Sequence, residues 1–252
     1  MKRYLDPLME NSEANAFLLI IGNEILTGRT KDANTQFLGK KLGEIGISVC
    51  ESRILPDDEK KIINTIRQNK DQFDYIFTTG GIGPTHDDIT AKAVAKALNI
   101  EFERNAEAEE LLRNFYSRDD ITEARLSMAD MPKGATLLEN PISKAPGFKI
   151  ENVFVLPGIP KIVERMFEGL RHHLTESSPF LSKTIVSSLP EGIIGGRLAE
   201  IQAQYENTEI GSYPFSKDGK IGVNIVIRSK NVENIKPVAI AIQNMIRKLE
   251  LH

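Results

Sequence analysis

Two adjacent acids close a glycine-rich run, Thr79-Gly80-Gly81-Ile82-Gly83-Pro84-Thr85-His86-Asp87-Asp88-Ile89-Thr90, and this combination suits the handling of a phosphate or a pterin. Glycines let the backbone approach a ligand closely, and a helix expected over 91–98 offers unpaired N–H groups and positive dipole charge to an anion. No Gly-Lys-Ser/Thr follows, so this is not a Walker A loop. Nor is it the dinucleotide fingerprint, because His86 stands where the third glycine belongs. Two like charges about 4 Å apart cost on the order of 4 kcal/mol at an effective dielectric of 20. A divalent cation shared between carboxylate and phosphate would offset that repulsion, and so would ring N–H and amine groups of a pterin or base. Asp88 is the acid expected to face the ligand, and Asp87 the one expected to cap the helix. A tight turn whose glycines only permit packing is the plainer alternative.

A second acidic loop, Gly22-Asn23-Glu24-Ile25-Leu26-Thr27-Gly28, leaves what reads as the first strand. Ligands of doubly wound sheets bind outside the carboxyl ends of the strands, where strand order reverses, so Glu24 and Asp88 are expected at one site. Asp57, in Leu55-Pro56-Asp57-Asp58, also follows a strand and reads equally well as a helix cap or as a catalytic acid. His172 and His173, adjacent on an expected helix, should point apart, and Cys50 falls inside a strand. A structural zinc site is not expected from them. The chain has no Gly-x-Ser-x-Gly elbow, which removes support for a serine hydrolase.

The elements that must carry these residues alternate. Short apolar runs at 17–21, 47–55, 75–78 and 153–156 read as buried strands. Between them lie helical patterns: Ala33, Phe37, Leu38, Leu42 and Ile45 up to Gly46, then Ile62, Ile63 and Ile66 behind the cap candidates Asp57 and Asp58. Such alternation implies an α/β fold with a doubly wound, mostly parallel sheet. Residues 1–15 read as a polar lead-in, and 16–176 as the sheet domain. Glu176-Ser177-Ser178-Pro179 breaks a helix carrying Ile162, Met166, Phe167 and Leu170, and is the expected linker. Beyond it, 180–252 reads as a small α+β domain: a strand at 183–188, a helix at 196–205, strands at 210–214 and 221–228 joined by Lys217-Asp218-Gly219, and a helix at 232–249.

The 252 residues are 40% hydrophobic and 27% charged, enough for two cores and unlike a disordered chain. A net charge of −3 supplies no field for holding nucleic acid by counterion release. The longest apolar run, 16–21, is too short to span a bilayer, no secretory h-region follows Met1, and the single cysteine has no disulfide partner in the chain. The expected location is the cytoplasm, without membrane partners.

Four ordered motifs carry a family resemblance: the loop 79–90, Gly22-Asn23-Glu24-Ile25-Leu26-x-Gly28, Asn140-Pro141 with Ala145-Pro146-Gly147-Phe148, and Leu156-Pro157-Gly158-Ile159-Pro160. Together they closely resemble the CinA amino-terminal domain and are similar to the molybdopterin-binding-like half of eukaryotic FAD synthase. The resemblance covers about 16–174 and extends more weakly through Ile210-Gly211-Ser212-Tyr213-Pro214. It implies a MoaB/Mog-like fold that binds a pterin or nucleotide, with Asp57 and Asp88 as the functional carboxylates and Glu24 with Asp88 as ligands for Mg²⁺, Mn²⁺ or Co²⁺. The ligand would contact Gly22, Glu24, Asn34, Thr79, Gly80, Gly81, Gly83, Pro84, Thr85 and Thr90, and Pro146, Gly147, Pro157 and Gly158 on the later motifs. CinA-type relatives imply metal-dependent cleavage of ADP-ribose, and the FAD synthase counterpart implies hydrolysis of FAD. The molybdenum-cofactor relatives imply binding or adenylylation of molybdopterin, and a ligand sensor without catalysis is a third reading. The resemblance also implies self-association through the large domain. Deamidation of nicotinamide mononucleotide, which belongs to a further CinA domain, is not implied.

Overall fold

The computed structural model describes residues 14–217 and 219–251. Most of the expected lead-in, 1–13, lies outside the described residues. The chain divides into two units, 1–177 and 178–252.

The first unit runs β1 (Asn15–Ile21), α1 (Asn23–Leu26), α2 (Asn34–Glu44), β2 (Ser48–Leu55), α3 (Glu59–Asn69), β3 (Tyr75–Thr79), α4 (Thr90–Leu98), β4 (Phe102–Arg104), α5 (Ala106–Phe115), α6 (Glu123–Leu126), β5 (Asp130–Pro132), β6 (Thr136–Leu138), β7 (Gly147–Ile150), β8 (Val153–Leu156) and α7 (Pro160–Leu170). Six strands form one sheet in the order β2-β1-β3-β8-β7-β6. The pairs β1–β2, β1–β3 and β3–β8 are parallel, and β7 runs antiparallel to both β8 and β6.

Each central strand serves two cores at once. Phe17, Leu19 and Ile21 of β1 pack with Ile62 and Ile66 of α3 and Val94 of α4 on one face. Leu18 and Ile20 pack on the other with Leu38 and Leu42 of α2 and Val163, Met166 and Phe167 of α7. That double burial explains why β1 is continuously apolar rather than alternating, as expected for a parallel strand covered by helices on both sides. The α/β, doubly wound reading therefore holds, but β2, expected as a buried strand, has no buried residue because it forms the edge of the sheet. β4 to β7 were not foreseen: none exceeds four residues, too short for a period to register.

The second unit runs β9 (Leu181–Ser187), α8 (Glu191–Gln204), β10 (Glu209–Lys217), β11 (Lys220–Ser229) and α9 (Val232–Glu250), with an antiparallel sheet ordered β10-β11-β9. Of the expected turn Lys217-Asp218-Gly219, Asp218 lies outside the described residues, and Gly219 adopts φ +75°. α8 begins five residues before the expected start at Gly196, with Gly192, Gly195 and Gly196 inside it. Burial of Ile194, Leu198 and Ile201 on one helical face outweighs a glycine cost of about 1 kcal/mol per residue.

Candidate active site

β1 lies between β2 and β3, so the chain order reverses at its carboxyl end and a crevice opens there. Two long-range hydrogen bonds close the β1 and β2 loops against each other. The Gly22 N–H donates to the Leu55 carbonyl at 3.1 Å. The Asn23 N–H donates to Asp57 Oδ2 at 2.9 Å. Asp57 is thus fixed by the loop that carries Glu24 and does not cap α3; Asp58 does that, its Oδ1 accepting from the Lys61 N–H at 3.1 Å.

From β3 the chain passes through glycines for steric reasons. Gly80 and Gly81 adopt φ +100° and +69°. A Cβ on Gly80 would sit 2.1 Å from the Ile21 carbonyl oxygen, and one on Gly81 would sit 2.2 Å from Thr90 Oγ1. The Gly80 N–H donates to the Leu156 carbonyl of β8 at 3.0 Å, and the Thr90 N–H to the Gly81 carbonyl at 2.9 Å. The loop is therefore threaded between the ends of β1 and β8 and tied to the start of α4.

Asp88 closes this loop from within. Its Oδ2 accepts from the Thr85 N–H at 2.8 Å and from Thr85 Oγ1 at 2.6 Å. The same hydroxyl lies 2.5 Å from Asp87 Oδ1, and its single proton serves one acid at a time. The Thr85 hydroxyl, Asp87's own backbone N–H and the nearby His86 hold the Asp87 carboxyl below its ordinary range. Neither acid caps α4: the cap position is Ile89, with no side-chain hydrogen bond. The helix-cap expectation for Asp87 is corrected accordingly, because the loop turns back before the helix begins and directs both carboxylates to Thr85.

A cavity of about 480 Å³ occupies the crevice. Gly22 and Glu24 line it from β1, Asp57 from β2, and Pro157 and Gly158 from β8. Gly80, Gly81, Gly83, Pro84, Thr85 and Asp88 line it from the loop after β3. Glu24 and Asp88 thus share one cavity. Four carboxylates, those of Glu24, Asp57, Asp87 and Asp88, line it, with no lysine or arginine among the lining residues. The Glu24 carboxylate folds back over Gly22, where a Cβ would lie 2.5 Å from Oε1. Among the described residues, no three or more His, Cys, Asp or Glu are grouped so as to hold a metal ion. Oxygen ligands from this chain would come from Glu24 and Asp88 Oδ1, neither of which is engaged by a hydrogen bond among the described residues.

The remaining candidates stand behind or beside the cavity wall. Asn34 is buried, its Nδ2 donating to the Gly158 carbonyl at 2.9 Å. Asn34 Oδ1 and the hydroxyls of Thr79 and Thr90 are buried without a partner among the described residues. Pro146 lines a smaller adjoining pocket. Gly147 packs in β7, where a Cβ would lie 2.4 Å from the Val155 carbonyl oxygen. Thr30, Met128, Asn140, Ser143, Ile159 and Ile162 also line the cavity but were not singled out. Asn140 had a signal, its place in an Asn-Pro motif: its Oδ1 accepts from the Ile142 and Ser143 N–H groups at 3.0 and 3.2 Å, folding the loop before β7. Met128 had none. Cys50 is exposed on β2, and the rings of His172 and His173 do not diverge as expected. They lie 3.9 Å apart, because the chain tightens there into a short 3-10 turn.

No helix among the described residues is long and apolar enough to cross a membrane. Residues 17–176 match the family model described as a probable molybdopterin binding domain, and 179–251 match the FAD synthase middle domain. A protein of Pyrobaculum calidifontis is 36% identical over 210 residues, covering 79% of this chain and 80% of its own length. A probable FAD synthase of Caenorhabditis elegans is 28% identical over 257 residues, covering 92% of this chain and 50% of its own length, so the chain spans half of that relative. The crystal structure of the protein CinA from Thermoplasma acidophilum superposes with a TM-score of 0.61 at 32% identity, covering 64% of this chain and 98% of that one. The chain belongs to the molybdopterin-binding-domain family, CinA-like over that domain and followed by a segment of the FAD synthase middle-domain type.

Proposed function

We propose that the chain is a metal-dependent pyrophosphatase acting on ADP-ribose or a related nucleotide. One observation carries the reading: four carboxylates from three strand ends line a cavity to which no lysine or arginine contributes. An anionic substrate entering such a cavity needs a cation. Mg²⁺ is commonly held by one or two carboxylates together with substrate phosphates, so the lack of a three-ligand protein cluster among the described residues fits a cation shared with the substrate. When bound, Mg²⁺, Mn²⁺ or Co²⁺ would supply positive charge against the phosphoryl oxygens. Glu24 and Asp88 would hold it, and the apolar side chains of Ile82, Met128, Ile159 and Ile162 in the cavity suit a flat base.

Asp57, held by Asn23 through Oδ2, has no hydrogen bond at Oδ1 among the described residues and orients the attacking water from there. The water oxygen bonds to one phosphorus, the bridging P–O bond breaks, and the bridging oxygen departs with its electron pair on the second phosphate. The water proton passes to solvent.

The family description favours a second reading, binding or adenylylation of molybdopterin at the same cavity. One assay separates them: purified protein with ADP-ribose, with FAD, or with ATP plus molybdopterin, with and without divalent metal. The first reading expects AMP and ribose 5-phosphate from ADP-ribose, abolished by chelation. Full turnover after exhaustive chelation removes the metal-dependent mechanism, and pyrophosphate released only from ATP plus molybdopterin supports the second. Binding without any released product identifies a ligand sensor.

A further inference from the structure

Beside the main cavity, behind the glycine loop, lies a pocket of about 130 Å³ that shares Ile82, Gly83, Asp88 and Met128 with it. Its lining includes what the main cavity lacks, a cation: Lys92, in the first turn of α4. Lys92 is exposed and makes no hydrogen bond or ion pair among the described residues. Of the two acids of the pocket, Asp130 is engaged by Arg104 through both oxygens, Nη2 reaching Oδ2 at 3.3 Å, and Asp88 by Thr85 through Oδ2 alone. No side chain caps α4 and its first turn holds no acid, so the amides of Ala91 and Lys92, two residues that line the pocket, have no hydrogen-bond partner among the described residues. At about 30 Å³ per water in the liquid, the space equals roughly four waters, enough for one phosphoryl group and too little for a nucleoside.

We propose that this side pocket is a phosphate subsite selected by Lys92. Resting on the pyrophosphatase reading, it receives the phosphomonoester that leaves when the bridging P–O bond breaks. The main cavity then carries the base and the attacked phosphorus, and the side pocket the departing charge.

The test is direct binding of ribose 5-phosphate, without metal, to the full chain by calorimetry and by amide shifts of Ala91 and Lys92. The parent should bind, Lys92→Gln should bind about tenfold more weakly, and Lys92→Arg should stay within about twofold of the parent. Lys96→Gln removes a positive charge from the same helix, one paired with Glu59 and outside the pocket, and should leave binding unchanged. Absent binding by the parent, or equal losses in Lys92→Gln and Lys96→Gln, would overturn the proposal. A parent that binds through Lys92 yet leaves ADP-ribose intact removes the pyrophosphatase reading and keeps the subsite. A pyrophosphatase whose binding of ribose 5-phosphate is indifferent to Lys92 removes the subsite alone.

Discussion

Asp88 does two jobs at the residue scale, and one substitution separates them. Its Oδ2 closes the loop through the Thr85 N–H and hydroxyl, and its charge belongs to the acidic cavity. Asp88→Asn retains a carbonyl oxygen that can accept from the Thr85 N–H, so the thermal midpoint should change little. Loss of one electrostatic stabiliser lowers turnover by roughly 10²–10³. Asp87→Asn should cost much less, since the Thr85 hydroxyl is the one group of another residue it hydrogen-bonds among the described residues. Paired measurement of midpoint and ADP-ribose hydrolysis checks both, and an Asp88→Asn protein with parental activity would leave the acid a purely structural role. Sequence alone singled out Asp88 as the ligand-facing acid but read Asp87 as a helix cap, which it is not. The deciding bonds run backwards to Thr85, a geometry that residue type does not reveal.

At the scale of elements, the junction of β3 with α4 depends on Gly81. Alanine there meets Thr90 Oγ1 at 2.2 Å and must hold φ near +69°, a conformation costing an L-residue about 1–2 kcal/mol. Gly81→Ala should therefore lower the thermal midpoint by about 2–8 °C and abolish ligand binding. Thr90→Ala alone should be mild, because the hydroxyl it deletes has no partner among the described residues. Combined with Gly81→Ala it removes the contact with Oγ1 but neither the 3.2 Å approach of the residue 90 Cβ nor the strain, so the double variant should recover only part of the midpoint. Full recovery would show that backbone strain contributes nothing. The strand, loop and helix here were legible from the glycine run between two periodic segments. The reason for each glycine was not, since Ile21, which crowds Gly80, and Leu156, which accepts its N–H, come from distant parts of the chain.

For the whole molecule, the hydrogen bonds at 175–177 locate the expected cut site. The Thr175 N–H donates to the Tyr75 hydroxyl at 2.9 Å, and Ser177 bonds to the Ile45 and Gly46 carbonyls at 3.0 and 2.8 Å. The first unit is thus pinned as far as Ser177, and limited proteolysis should cut within 178–180, leaving two stable fragments. Cleavage inside β2 to α4 instead would contradict two independently folded units. Self-association through the large domain is expected from the family resemblance, and sedimentation at micromolar concentration should give a species larger than the 28.1 kDa monomer. A monomer under those conditions would remove that expectation.

What the sequence determined by itself is local or periodic. It sufficed for β1, β3 and β8, because buried parallel strands are short apolar runs, and for the glycine loop, because few residues tolerate its backbone; it also located β2, though that strand lies at the sheet edge and is not buried as expected. The succession of strands and helices along the second unit was also legible, from alternation and a turn. Tertiary structure decided the rest. Whether Asp57 caps a helix or joins the β1 loop depended on the Asn23 N–H reaching across from another strand end. The strands β4 to β7 exist through pairings too short to leave a period. The charge of the cavity, and the position of Lys92 behind its wall, arise only when the strand ends and the start of α4 converge. Sequence records which residues follow one another along the chain, whereas a site is made of residues whose neighbours are set by packing.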